Sequence, residues 1–274
     1  MIISSAIAAF IPMFAYLILI WKIDQYDREP FLLVLTNYLW GALGAIFFAL
    51  LGSYILSFFV SIFVRDAESL KRIETILIAP FVEESTKGVF LFITIISRKF
   101  DNMTDGIVYG GAIGLGFGMT ENFLYFIANA GVLNTWISIV IIRTLFTAVM
   151  HCVSTATFGA FLGYAKFKNI YVKLTFPFVG LAFAMFIHFA WNLMISFEKT
   201  ELLGFIFMLI TILIFIVVFS ISLSNDKRII YKELLEEAEN GLIPMSHLDI
   251  LNSPKRNNFG WIDEKIRKLY INSA

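Results

Sequence analysis

Charge is what this chain has least of: 15% of its 274 residues are Asp, Glu, Lys or Arg, where a soluble domain carries about 25%. That is too little to cover a water-soluble domain. Cysteine is scarcer still, and the single Cys152 excludes an internal disulfide. Neither sign of charge is in excess, with 21 basic and 21 acidic residues, so bulk electrostatics gives no argument for nucleic-acid binding. No His-Glu-x-x-His sequence supports a zincin, and no Gly-x-Ser-Gly lies in an apolar run to support rhomboid-type serine chemistry. Every Asp falls in a loop, at the edge of an apolar run or in the tail, which leaves no intramembrane aspartyl dyad.

What remains is apolar: 59% hydrophobic residues, 30 of them Phe, and a mean hydropathy of +0.81. Several runs exceed the roughly 20 residues that a helix needs to cross a bilayer. The pattern predicts an all-α polytopic membrane protein with seven spans, at about 1–21, 31–60, 75–97, 105–128, 135–165, 174–197 and 202–223. Residues 1–223 form the membrane domain and 224–274 a polar tail. The first run has no basic segment before it and no small-residue cleavage site after it, so it reads as a retained span. With seven spans, loops and tail on one side hold 15 Lys and Arg against four on the other. The positive-inside rule then puts the N-terminus outside and the C-terminus in the cytoplasm. In the tail, the Glu233, Glu236, Glu237 and Glu239 cluster leads to a helix stop at Asn240-Gly241, and an amphipathic piece at 261–270 suits the membrane surface.

Charges inside spans cost about 2.5–3.5 kcal/mol each at the centre, so they call for a partner or a purpose. The third run contains Glu83-Glu84-Ser85-Thr86-Lys87, in which Lys87 reaches either carboxylate along one helix face. Pro80 just before it removes a backbone hydrogen bond. The fourth run carries Gly106, Gly110, Gly114 and Gly118 at four-residue spacing and then Glu121-Asn122. Its glycines read as a packing stripe, and Asp105 as the helix N-cap or an interface residue. A ridge on the fifth run joins Arg143, Thr147, His151, Thr155, Gly159 and Gly163, and the sixth offers His188 and Asn192 one turn apart. Glu83, Glu84, Glu121, Arg143 and His188 share a depth, about 12–14 Å from the outer boundaries. Lys87 and His151 lie deeper and Asn192 nearer the surface. Any one pair alone reads as a structural ion pair between helices. The group together reads as a water-filled intramembrane site.

Hydrolysis suits these residue types. Glu83 or Glu84 is the general base, the other carboxylate pairs with Lys87, and His188 and Asn192 position water and the oxyanion. Arg143 is a counter-ion for the carboxylates. A zinc alternative takes ligands from His151, His188, Glu83, Glu84 and Glu121, but metal-free catalysis is favoured. A proton-coupled transporter is the main rival reading, and a non-enzymatic scaffold the third; neither the paired interrupted helices nor the repeats of many transporters are visible.

Glu83-Glu84-x-x-Lys87, Gly116-Phe117-x-x-x-Glu121-Asn122, the Arg143 to His151 segment and His188-x-x-x-Asn192 resemble, in order, the motifs of the PrsW family of intramembrane proteases. Asp24-x-x-Asp27-Arg28-Glu29-Pro30 is similar to that family's N-terminal signature. The resemblance spans about 24–197. It implies a peptidase related to CAAX prenyl endopeptidases and bacteriocin-processing enzymes, with a membrane-anchored protein such as an anti-sigma factor as substrate. Glu121 stands where those relatives often have His, which fits PrsW and counts against prenyl-protein processing. The catalytic positions it implies are Glu83, Glu84 and His188, followed by Glu121, His151 and Asn192.

Overall fold

The computed structural model describes residues 1–253 together with Lys255, Gly260 and Ile262. Among the described residues every regular element is a helix and there is no strand. Each predicted apolar segment corresponds to one long helix: α1 (Ile2–Ile23), α2 (Phe31–Ser61), α3 (67–94), α4 (Met103–Ala128), α5 (Leu133–Ala165), α6 (Ile170–Ile195) and α7 (Glu201–Glu239), followed by the short α8 (Met245–Leu251). Five of them, α1, α2, α5, α6 and α7, are long and apolar enough to cross a membrane. The other two, α3 and α4, carry the Glu-Glu-x-x-Lys segment and the glycine stripe, which lower their hydropathy.

Helix α4 is the axis of the bundle, buried from Thr104 to Met119 without a break. Its glycines explain how neighbours come so close. A Cβ added at Gly106 would overlap the Gly159 carbonyl of α5, and one at Gly114 would overlap the His151 carbonyl. On the other side Gly116 meets the Tyr38 carbonyl of α2, and Gly41 of α2 meets the Ile113 carbonyl of α4. Backbone thus lies against backbone along both flanks, as small residues permit between membrane helices. Helix α1 adds the stripe Ser5, Ala9, Met13 and Leu17, spaced four apart and fully buried. Large side chains such as Phe47, Phe63 and Phe178 point outward, as a lipid-facing surface requires.

Three helices contain a π-helical turn: Trp40–Ala45 in α2, Glu74–Ile78 in α3 and Arg143–Thr147 in α5. Such turns loosen the backbone ladder locally and often accompany functional sites. Two of them lie just before Pro80 and His151, so they set the rotation at which Glu83 and His151 face the bundle.

One expectation changes and one is met. The N-cap of α4 is Asn102, whose side chain accepts the Asp105 N–H at 3.1 Å, while Asp105 returns a bond to the Asn102 N–H at 3.0 Å. Asp105 is therefore the third residue of a capping box. The helix stop at Asn240-Gly241 is observed: α7 runs through the composition shift at 223/224 to Glu239 and stops at Asn240, with Gly241 at φ +74°. Past it, Leu234, Ala238, Ile243, Leu248 and Leu251 form a small apolar core of their own. Apart from Ile262, the amphipathic piece at 261–270 lies outside the described residues.

At the end of the bundle where α4 begins, residues 24–30 fold inward. Asp24 and Glu29 are buried there, Trp21 Nε1 donates to the Glu29 carbonyl at 2.8 Å, and the Tyr109 hydroxyl donates to the Glu29 carboxylate. Burial, with the Asp105 charge adding to it, pushes the Asp24 carboxyl up to about 8 and that of Glu29 up to about 10.

The backbone contacts predict that Gly106→Ala and Gly114→Ala each destabilise the bundle by about 1–3 kcal/mol, the cost of overpacking. Gly111→Ala, whose Cβ would meet only side chains at 3.4 Å or more, stays within about 0.5 kcal/mol of the parent. Denaturation midpoints in detergent measure the difference.

Candidate active site

Four helices bring their polar groups to one place. Lys87 of α3 has no exposed surface and is its centre. Its ammonium donates to Glu84 Oε1 at 2.7 Å and to His151 Nδ1 at 2.9 Å, and it stands 3.8 Å from Glu83 Oε2 and 4.0 Å from the centre of the Phe117 ring. An ammonium has hydrogens and no lone pair, so His151 Nδ1 must be the acceptor. Its proton is then on Nε2, which donates to Glu121 Oε2 at 2.7 Å. The same Glu121 oxygen receives Arg143 Nη2 at 2.6 Å, Arg143 Nε donates to Asn122 Oδ1 at 3.0 Å, and the guanidinium lies 3.7 Å from the centre of the Tyr125 ring.

On the other side of Lys87, Glu84 is saturated. Its Oε1 also accepts His188 Nδ1–H at 3.0 Å, and its Oε2 accepts the Thr155 hydroxyl at 3.1 Å. Consequently the His188 Nε2 lone pair is free, and it faces Glu83 Oε2 at 4.0 Å. That Glu83 oxygen is buried and has no hydrogen-bond partner.

One continuous chain therefore runs Arg143, Glu121, His151, Lys87, Glu84, His188. Its two cations and two carboxylates cancel, and both imidazoles have their tautomer set by a neighbour. Glu83 is the charge left over. It is also, with Glu121 and Arg143, one of the three accessible groups: side-chain exposures are 13%, 18% and 13%, against 3% or less for Lys87, Glu84, His151 and His188. Glu83, Glu121 and Arg143 thus form the accessible edge, or mouth, of the cluster.

All the sequence-derived candidates except Asn192 meet in this cluster. Asn192 Nδ2 instead donates to the Thr75 carbonyl at 2.9 Å, inside the π-helical turn of α3. Asn192 therefore ties α6 to the segment leading into Glu83. Sequence reasoning assigned no role to Phe117, Tyr125 or Asn122. Thr155 was on the predicted ridge, one turn beyond His151, and that spacing was its only signal.

A nitrogen of each of His151 and His188 and an oxygen of Glu83 lie within 4.8 Å of one another, a spacing that suits three ligands of a zinc ion. The hydrogen bonding does not suit it. Both ring nitrogens of His151 are engaged, one by the ammonium of Lys87, so a metal there would need that bond broken and would face the Lys87 charge.

Removing one partner from a buried ion pair leaves an uncompensated charge and costs about 3–5 kcal/mol. Lys87→Met is expected to lower stability by that amount. Adding Glu84→Gln to it is expected to recover part of the loss, and a double-mutant cycle in detergent measures the coupling.

Residues 29–221 match the family described as "PrsW family intramembrane metalloprotease". The chain is 30% identical over 224 residues to Protease PrsW of Bacillus subtilis (strain 168), covering 78% of this chain and 90% of that protein. It is 31% identical over 173 residues to Protease PrsW of Oceanobacillus iheyensis (63% and 73% covered), and 29% over 167 residues to Protease PrsW of Geobacillus kaustophilus (61% and 67% covered). No solved structure matches the chain. Family match, helical architecture and buried polar cluster agree: this chain belongs to the PrsW family of intramembrane proteases.

Proposed function

We propose that the protein cuts a membrane-anchored protein by a metal-free mechanism in which Glu83 activates water. The observation that carries this is the pairing of the two unsatisfied acceptors, Glu83 Oε2 and His188 Nε2, at 4.0 Å. A water about 2.8 Å from both has an angle of roughly 90° between them, close to its own. It donates one hydrogen to each, and its oxygen lone pair is free to attack.

Attack on the scissile carbonyl transfers the water proton to Glu83 as the new C–O bond forms. Glu83 then delivers the proton to the departing nitrogen as the C–N bond breaks, and it returns to carboxylate. The remaining charges stay constant through the cycle. Glu84 is assigned to hold His188 and Lys87, Glu121 to hold His151, and Arg143 at the mouth to oppose the negative oxygen of the tetrahedral intermediate. Asn192 is a positioning residue, acting through Thr75. The zinc alternative has spacing in its favour but conflicts with the donor state of His151.

The mouth lies at the end of the bundle that the loops poor in Lys and Arg share, so the reading places the cut on the extracytoplasmic side, with the C-terminus in the cytoplasm. A single-pass anti-sigma factor is the substrate class the family resemblance suggests.

Profiling of new N-terminal peptides in membranes from cells expressing the intact chain or Glu83→Gln at equal abundance tests this. The expected result is a membrane-protein fragment formed only with Glu83 present; identical fragments in both would overturn it. Glu83→Gln is expected to keep the parent's thermal midpoint, because Glu83 Oε2 has no hydrogen bond to lose, while Glu84→Gln loses both activity and stability. Purified protein verified as metal-free by elemental analysis is expected to retain cleavage, and loss restored by zinc would reject the metal-free mechanism.

A further inference from the structure

The proposed chemistry does not use the Asp24-x-x-Asp27-Arg28-Glu29-Pro30 segment. Its acids nevertheless lie buried against the start of α4: Asp24, Glu29 and Asp105 are 2%, 5% and 1% exposed. Asp105 lies sixteen residues before Glu121 on the same helix, about 24 Å away, so this cluster is separate from the cavity of Glu83.

Its hydrogen bonds are incomplete. Asp105 Oδ2 takes the N–H groups of Asp101 and Asn102, and the Tyr109 hydroxyl serves Glu29. The carboxyls of Glu29 and Asp105 lie close enough to feel each other's charge. Asp24 Oδ2 is buried with no partner, and Asp105 Oδ1 meets no N–H or hydroxyl donor. Unpartnered buried carboxylate oxygens are costly. The nearby bases are turned elsewhere: Arg28 donates from Nε to the Asp24 carbonyl at 3.1 Å, and Lys166 to the carbonyls of Ser97 and Phe100. Among the described residues no ion pair is made by Asp24, Glu29 or Asp105.

We propose that Asp24, Glu29 and Asp105 bind one hydrated divalent cation of the magnesium type, which fastens residues 24–30 to the start of α4. All the donors are oxygen, which suits a hard cation and not zinc. Among the described residues the one set of three donors within 4.8 Å of one another is that of Glu83, His151 and His188, so these carboxyls do not close a dry cage. Magnesium is the ion that keeps several waters and binds through one or two carboxylates. Arg28 and Lys166 then have a physical reason to bond carbonyls, since the charge of the acids is met by the ion.

The test is the thermal midpoint of the full chain, purified in detergent and washed with a chelator, as MgCl2 is added at pH 7 against KCl of equal ionic strength. The expected result is a saturable rise with MgCl2 alone that is lost in Asp24→Asn and kept in the exposed-site control Glu239→Gln. No rise in the parent, with Asp24→Asn as stable or more so, would overturn the proposal and show that the acids are held by protons. A rise that survives in Asp24→Asn would also overturn it, because the ion then sits elsewhere. Should Asp24→Asn not fold, electron paramagnetic resonance of Mn2+ added to a His188→Ala background decides. One bound Mn2+ per chain displaced by MgCl2 supports the site, and none rejects it.

Discussion

The buried charged cluster of this protein is organised by one ammonium group. Lys87 has no contact with solvent, so its charge is tolerable only while Glu84 stays beside it. The two hydrogen bonds it makes have consequences one step further out. The bond to His151 Nδ1 dictates which nitrogen carries the proton and hence that His151 donates to Glu121. The bond to Glu84 Oε1, shared with His188 Nδ1, dictates that the other His188 nitrogen faces Glu83 with its lone pair free. A single cation thus fixes two tautomers on two different helices.

This arrangement needs helices that cannot rotate or slide. The glycine contacts supply that constraint, because a Cβ added at Gly114 would overlap the carbonyl of His151 itself and one at Gly118 would lie 3.1 Å from the Ala148 Cα. Backbone against backbone leaves little freedom for the register between α4 and α5, so Glu121 meets His151. The π-helical turns do the complementary job. Each rotates the next stretch of its helix about the axis, and those at Glu74–Ile78 and Arg143–Thr147 precede Glu83 and His151 within α3 and α5.

The seven apolar runs and the polar residues inside them were legible because a bilayer punishes charge and rewards length, so exceptions stand out. The glycine stripe was legible for the same reason, as four-residue spacing has few uses other than close packing. Asn192 illustrates what was not. Its spacing from His188 puts it on the same stripe, but the carbonyl that captures it belongs to Thr75, 117 residues earlier and freed by a π turn that no composition signal marks. Asp105 was misread as the cap for a related reason: Asn102 and Asp105 are both capping types, and only the backbone shows where the first turn begins. The end of α7 at Asn240 was legible, because Asn-Gly after a charged helical run is a stop signal, whereas the change from apolar to charged residues at 223/224 marks the edge of a membrane and not the end of a helix.

The division of labour between Glu83 and Glu84 has a geometric origin that spacing alone does not reveal. Adjacent residues on a helix point about 100° apart, so two neighbouring carboxylates cannot serve the same partner equally well. Glu84 turns toward α5 and α6, where Thr155, His188 and Lys87 supply donors to both its oxygens. Glu83 turns toward the mouth, where Lys87 is too far for a hydrogen bond at 3.8 Å and His188 offers an acceptor in place of a donor. A carboxylate already supplied with three donors is a poor base, since each donor stabilises its charged form. The same three donors that make Glu84 a good anchor are the reason the proposed mechanism gives the proton to Glu83.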